Sequence, residues 1–330
     1  MKVLYLVFSH DHQPQLARLA LAIRRLSPDA EIAVHHDPQV APLDPGLFSP
    51  AWRVHVVPEP VRGEWGDFSL VEQYLHAFRW STQHLQFDWV VTLTGLSYPI
   101  RPLRDFEAML AASGVDGFVY HFDADDLGHW PPGTATTRFQ FRYVKLPKFR
   151  YWHRVPAPLR TVLQRSRVWL NAHQPFVRIA PRPRGLKTLF GIRRFPVPGA
   201  AGLKLQGGRQ MLNITRDALL HLIRFVDDNP RYQSWMRSSL IPDESFFTTI
   251  LANAPELKIA NDVQRFIKWP REAHASSVAV ITADEIPQVL QSDAPFALKL
   301  DTRVDARALE LLDAHLRPHM VPIPGAEAQT

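Results

Sequence analysis

The hydrophobic positions of this chain repeat with two periods, and the switches between them outline the elements. Residues 2–9 form a short, nearly continuous apolar run of strand length, read as a first buried strand. From Gln13 to Leu26, the positions Leu16, Leu19, Ala20, Ile23 and Leu26 recur at helical spacing. Glu31 to His35 reads as a second strand that ends at His36-Asp37-Pro38, and Trp52 to Val57 as a third. Phe68 to Gln83 is helical by period, with Ser69 as its cap. Asp88 to Leu93 is a buried strand running into Thr94-Gly95-Leu96-Ser97-Tyr98-Pro99. A helix over Arg104–Ala112 and a strand over Gly117–Tyr120 follow. This β-α-β-β-α-β order predicts an α/β fold with a mainly parallel sheet flanked by helices. Open sheets of that kind hold ligands at the carboxyl ends of their strands. His10-Asp11, His35-His36-Asp37 and the Thr94–Tyr98 block thereby become candidate site walls.

The pattern then breaks. Residues 127–204 are rich in Pro, Arg and aromatic residues, with Tyr151-Trp152-His153 and Pro181-Arg182-Pro183-Arg184 among them, and read as a basic, loop-rich segment with helix around Pro158–Leu170. Order returns with a strand over Leu205–Ile214 and a helix over Arg216–Phe225 capped by Thr215; a helix at Glu244 follows, then the Arg265–Trp269 block, a helix over Ala283–Gln291 and the Pro295–Asp301 block. Gly325–Thr330 reads as frayed. No internal repeat is visible. The reading is one domain over 1–330 in three parts: 1–126, 127–204 and 205–330.

Charge sharpens the contrast. Eighteen Lys or Arg and no Asp or Glu fall between 127 and 216, whereas the rest of the chain carries a net charge of −12. Such asymmetry points to an anionic partner: a nucleotide phosphate, an acidic glycan, anionic lipid or nucleic acid. A solvated insertion is the alternative. The 330 residues contain no cysteine, which removes disulfides, thiolate metal sites and cysteine nucleophiles and fits a reducing compartment. No apolar run approaches the roughly 20 residues of a membrane span, and residues 1–10 lack the pattern of a signal peptide. A cytoplasmic protein is expected, with peripheral contact at an anionic membrane through 127–216.

One segment carries candidate chemistry. In Ile241-Pro242-Asp243-Glu244-Ser245-Phe246-Phe247, a carboxylate pair sits behind a proline and before an apolar helical run. Proline and acids both suit a helix start. Asp243 reads as a structural cap or first-turn acid, whereas Glu244 can project into a cleft and take a proton from a substrate hydroxyl. His121-Phe122-Asp123-Ala124-Asp125 offers an Asp-x-Asp pattern able to hold a divalent metal through carboxylate oxygens. His35-His36 is a poor metal pair, because neighbours on a strand face opposite sides.

Several blocks, taken in order, resemble one family: the core-2/I-branching β-1,6-N-acetylglucosaminyltransferases and peptide O-xylosyltransferases, glycosyltransferase family 14. They are the His10 block, Val34-His35-His36-Asp37, Glu64-Trp65-Gly66-Asp67-Phe68-Ser69, Leu93-Thr94-Gly95-Leu96-Ser97-Tyr98-Pro99, Gly207-Gly208-Arg209-Gln210-Met211-Leu212, Pro242-Asp243-Glu244-Ser245-Phe246-Phe247 and Phe296-Ala297-Leu298-Lys299-Leu300-Asp301. The likeness spans roughly residues 2–310 and weakens over 127–200. Ser97 stands where the family has Asp, Met211-Leu212 where it has an aromatic pair, and Leu298 where it has Arg.

The resemblance implies a Rossmann-like fold of the GT-A type and inverting transfer from a UDP-sugar, UDP-N-acetylglucosamine or UDP-xylose, to a glycan or lipid-linked acceptor. It implies no metal and no other cofactor. By position, Glu244 matches the general base, and Arg265 and Lys299 match the basic residues that face the diphosphate. His10, His35, Asp37, Thr94, Gly95 and Tyr98 match the nucleotide and donor site, and Trp65, Ser69 and Asp243 the acceptor or donor pocket. Two other readings stay open: a metal-dependent glycosyltransferase using Asp123 and Asp125, and a nucleic-acid-binding protein using the basic 127–216 segment. Against the last stand the negative remainder of the chain and the lack of a nucleic-acid motif, and no nucleic-acid partner is expected.

Overall fold

A computed structural model describes residues 1–126, 128–146, 156–180, 189–194, 202–269 and 278–323. The aromatic Tyr151–His153 group, the Pro181–Arg184 run and the frayed end over Gly325–Thr330 lie outside the described residues. In chain order the strands are β1 (Val3–Ser9), β2 (Glu31–His36), β3 (Val54–Val56), β4 (Trp89–Thr94), β5 (Tyr98–Pro99), β6 (Gly117–Asp123), β7 (Phe141–Lys145), β8 (Val177–Ala180), β9 (Leu189–Arg193), β10 (Gln206–Thr215), β11 (Ile259–Ala260), β12 (Arg265–Ile267) and β13 (Phe296–Leu298). The helices are α1 (Gln13–Leu26), α2 (Ser69–His84), α3 (Leu103–Ala112), α4 (Thr134–Phe139), α5 (Ala157–His173), α6 (Arg216–Asp228), α7 (Pro230–Arg237), α8 (Phe246–Ala252), α9 (Ile286–Val289) and α10 (Ala306–Leu316).

Seven strands form the central sheet in the order β11-β6-β10-β4-β1-β2-β3. β10 runs antiparallel to both its neighbours, β4 and β6, and the other strands share one direction. The expected mainly parallel, helix-flanked α/β sheet is therefore present, with one reversed strand that periodicity does not reveal.

The sheet is buried on both faces, and β1 shows how. Val3, Tyr5 and Val7 point into a core shared with α1, α3 and α10. Leu4 and Leu6 point into the opposite core with α2, α6 and α8. The period-2 alternation thus separates two apolar layers, so a strand buried on both sides reads as a continuous apolar run. A second, three-stranded sheet, β12-β13-β5, sits against the first core.

Several local expectations change. Phe68, not Ser69, occupies the cap position of α2, and Ser69 Oγ instead accepts the Glu64 N–H at 2.9 Å. Thr215 does cap α6, accepting from the Ala218 N–H at 3.2 Å. The stretch 127–204 is not loop alone: its described part holds α4, the 17-residue α5 and an antiparallel sheet in the order β7-β9-β8. Residues 283–291 divide into a 3-10 turn, Ala283–Glu285, and the short α9. Pro242–Glu244 is a 3-10 turn of its own, separated by Ser245 from α8, so its two acids stand ahead of the helix rather than in its first turn.

Candidate active site

The carboxyl ends of β1, β2 and β4 converge. Gly95 donates its N–H to Phe8 O at 2.9 Å, and a Cβ on Gly95 would lie 3.2 Å from Ser9 Cβ. Glycine is what lets the turn after β4 lie this close to β1. Asp37 donates its N–H to Ser9 O at 2.8 Å, which ties the end of β2 to the end of β1. His10 is exposed at this edge, and Thr94 is half-buried, with its N–H on Ser97 Oγ at 3.1 Å.

The Asp37 carboxylate is buried and organises the neighbouring loop. It accepts from the Gly63 N–H at 2.6 Å, the Gln39 N–H at 3.0 Å and Gln73 Nε2 at 3.0 Å. His35 is fully buried and accepts the Val61 N–H at 3.2 Å. Burial, and then the charge of His76, pushes the His35 imidazole down to about 4. His36 faces the other way and bonds Ser9 Oγ and Ala41 O, both at 2.9 Å. Tyr98 is 1% exposed in the apolar core, with its hydroxyl on Asp313 Oδ1 at 2.5 Å, so it braces β5 and does not face the open edge.

The segment after β13 docks on this edge. Leu300 donates its N–H to Leu96 O at 3.0 Å, and Gln15 bridges it to α1 through Leu300 O and the Thr302 N–H. Lys299 is half-buried there, and its ammonium makes no ion pair or hydrogen bond among the described residues. Arg303, by contrast, is held by Asp301 at 2.8 Å and by Asp11.

Arg265 is of a different kind. It is buried, with Nη2 donating to Thr92 O at 3.0 Å and Asn213 Oδ1 at 2.9 Å, and its guanidinium lies over the Phe296 ring. Burial pulls it down to about 9. Its bonds join β4, β10 and β12, so in this conformation those donors are committed within the fold.

The loop that starts at Val61 ends beside the acidic turn. Ile241 donates its N–H to Gly66 O at 3.2 Å, and Gly66 has φ +70°, a left-handed conformation open to glycine. This brings Trp65, 40% exposed, and Ser69 to the Pro242–Glu244 side. Lys145 of β7 pairs with Glu64 at 2.9 Å and Asp67 at 2.7 Å, closing the outer wall.

Glu244 is partly exposed, and its Oε2 accepts from Arg138 Nη1 at 2.5 Å. Its neighbour is turned inward. Asp243 Oδ1 is shut off from solvent, with no hydrogen-bond partner among the described residues. Burial, helped by the charge of Glu244, pushes the Asp243 carboxyl up to about 7. One acid of the pair is therefore directed outward by a cation, and the other is desolvated behind it.

Two arginines of this rim are absent from the sequence-based set. Arg138 also lies over the Trp130 ring at 4.3 Å. Arg209 lies between Tyr120 at 5.1 Å and Trp269 at 4.2 Å, where the β10–β6 pairing slips between Gly208 and Leu212. Burial pulls Arg209 down, while Tyr120 and Glu244 act against that. Sequence signals for both are weak: Arg138 is one of eighteen cations in an acid-free stretch, and Arg209 stands in a quoted block without a role.

The Asp-x-Asp pattern is engaged otherwise. Asp123 pairs with Lys204 at 2.6 Å and accepts the Asp125 N–H at 3.1 Å. Among the described residues no group of three or more His, Cys, Asp or Glu side chains is arranged to hold a metal ion. Glu244 lines none of three cavities: about 490 Å³ between α2 and α7, about 550 Å³ along α5, and about 320 Å³ near Pro102 and Met320.

A family model described as Core-2/I-Branching enzyme matches residues 4–290. No curated protein matches the chain. Among solved structures, the chain is similar to mouse xyloside xylosyltransferase 1 in its apo form, at 10% identity, with 89% of this chain and 97% of the other covered and a TM-score of 0.36.

Proposed function

The chain belongs to the core-2/I-branching enzyme family and is a UDP-sugar glycosyltransferase, and on that premise we propose an inverting, metal-independent transfer in which Glu244 is the general base. The donor is UDP-N-acetylglucosamine or UDP-xylose, and the acceptor a hydroxyl of a glycan or polysaccharide precursor.

In this reading the acceptor oxygen attacks the anomeric carbon as the bond from that carbon to the UDP oxygen breaks. The hydroxyl proton passes to Glu244, and the electron pair leaves with UDP. Negative charge grows on the diphosphate, and a cation facing it lowers the barrier. Lys299, without an anionic partner among the described residues, is the side chain suited to that task. Arg265, whose donors are held by Thr92 and Asn213, contributes its charge from behind. His10, Asp37, Thr94 and Gly95 form the nucleotide edge, with His35 beneath it. Trp65, Ser69 and Asp243 shape the wall between donor and acceptor.

The observation that carries the reading is the Glu244 carboxylate, partly exposed and held in place by Arg138. A base has to be within reach of the hydroxyl and fixed in direction.

The test is UDP release from a panel of UDP-sugars, with and without EDTA, in native protein and Glu244→Gln. Turnover that survives EDTA and drops by about 10²-fold or more in the variant is the expected result. Abolition by EDTA would move the site to Asp123 and Asp125. Unchanged turnover in Glu244→Gln would remove the base assignment.

A further inference from the structure

The helix α5 has no buried residue along its 17 positions. Leu159, Val162, Leu163, Trp169 and Leu170 fall on one stripe at helical spacing, and the first four are between 44% and 61% exposed. Arg160 and Arg167 flank the stripe on one side and Arg165 on the other. The helix is fixed to β8 by the Asn171 side chain, which exchanges two 2.9 Å hydrogen bonds with Ile179. Phe176, 61% exposed, sits at the turn between them.

This exposure is regional. Of the sixteen large hydrophobic residues exposed among the described residues, nine lie between 127 and 216. That is the same stretch that has eighteen Lys or Arg and no acid. Phosphate binding alone explains the cations and leaves the apolar stripe without a purpose. Burial of the stripe against another protein explains the stripe and not the complete lack of acids. A surface of anionic lipid headgroups over acyl chains answers both, since an amphipathic helix of this kind lies in the interface plane with its apolar side down and its cations at the phosphates.

We infer that α5, with the β7-β9-β8 sheet behind it, docks on an anionic bilayer surface. Among the described residues no helix is long and apolar enough to cross a membrane, so the contact is peripheral. The docking unit is fastened to the site rim at two points. Arg178 of β8 donates to Thr137 Oγ1 at 2.7 Å, one residue from Arg138, and Lys145 of β7 holds Glu64 and Asp67 beside Trp65. On the glycosyltransferase reading, on which this last step rests, the acceptor is a lipid-linked glycan presented to Glu244 from the bilayer.

The experiment is flotation of the full chain with vesicles of phosphatidylcholine alone or mixed with phosphatidylglycerol, over a range of salt. Two variants accompany it, Val162→Asp with Trp169→Asp and Arg165→Glu with Arg167→Glu, each checked by circular dichroism and by UDP affinity. The expected result is flotation with phosphatidylglycerol vesicles only, weakened by salt, and reduced about tenfold or more in both variants while UDP affinity is kept. No flotation, flotation unchanged in the apolar variant, or binding of a single-stranded oligonucleotide that both blocks flotation and survives the apolar variant would overturn the inference. A self-associated chain whose dimer is lost in the apolar variant, without flotation, would also overturn it. Failure of the native chain to bind UDP would strike the glycosyltransferase reading and leave the flotation result standing.

Discussion

Arg138 Nη1 and Glu244 Oε2 meet at 2.5 Å across 106 residues of chain, which ties the basic middle segment to the acidic turn. The pair sets the direction of the carboxylate, and Trp130 under the guanidinium sets the direction of the arginine. Arg138→Met should lower kcat by about tenfold to a hundredfold, with KM for the UDP-sugar within about threefold, because misdirection of a base acts on the chemical step. Arg138→Lys should recover part of the loss, since an ammonium keeps the charge and not the planar fork. Steady-state kinetics of the two variants decide this, and an unchanged kcat in Arg138→Met would show that the pair does not serve catalysis.

Asp243 gives a pH dependence with a definite sign. Its carboxyl is raised to about 7 in the fold, chiefly by burial, whereas an unfolded chain releases that proton near pH 4. Between those limits the native state binds more protons than the unfolded state, so stability falls as pH rises through the window. Asp243→Asn, the isosteric neutral form, should therefore raise the melting temperature at pH 8 and change it little at pH 4. The gain is on the order of 2–4 kcal/mol at most. An equal effect at both pH values would mean that the carboxyl is not held protonated by the fold.

Arg265 and Lys299 should separate cleanly. Removing the Arg265 guanidinium leaves Thr92 O and Asn213 Oδ1 without their bonds in a buried place. Each orphaned group costs about 1–3 kcal/mol, so Arg265→Met should unfold several degrees lower. Lys299 has no such internal partners among the described residues. Lys299→Met should leave the melting temperature within about a degree of native and lower turnover by about 10²-fold, the scale of a lost charge on the transition state. Thermal melts beside kinetics test both, and a large stability loss in Lys299→Met would place that residue in the structural frame.

What the chain disclosed in advance follows from the range of the forces involved. β1, α1, β2, α2 and β4 were legible because each buries a periodic face against the central sheet, and period is local information. The reversal of β10 was not, since the alternation of side chains along a strand is the same whichever way the strand runs. Ser69 reads as a cap in isolation, yet its hydroxyl accepts the Glu64 N–H in the turn just before the helix. At the site, the family blocks pointed to Glu244, Lys299 and the strand-end residues. They did not distinguish Tyr98, whose hydroxyl is held by Asp313, or Arg265, whose donors turn inward. Arg138 and Arg209 owe their positions to long-range pairings, with Glu244 and between Tyr120 and Trp269, that no spacing encodes.

His35 extends the argument to the loop that bears Trp65. Its imidazole is 1% exposed and accepts the Val61 N–H, and burial holds it down at about 4. An unfolded histidine takes its proton near pH 6.5. The contribution of neutral His35 is thus fully present above that value and lost as pH falls toward 4, where protonation also removes the acceptor for Val61. His35→Gln retains a carbonyl acceptor and does not titrate. It should flatten the acid side of the stability profile, sparing roughly 3 kcal/mol at most between pH 6.5 and 4. The protection factor of the Val61 amide, taken relative to its intrinsic exchange rate at each pH, should fall in the native chain over the same interval and stay constant in the variant. Parallel acid profiles for the two proteins would show that the loop is anchored by Asp37 and Gly63 alone, with the His35 bond carrying none of the pH response.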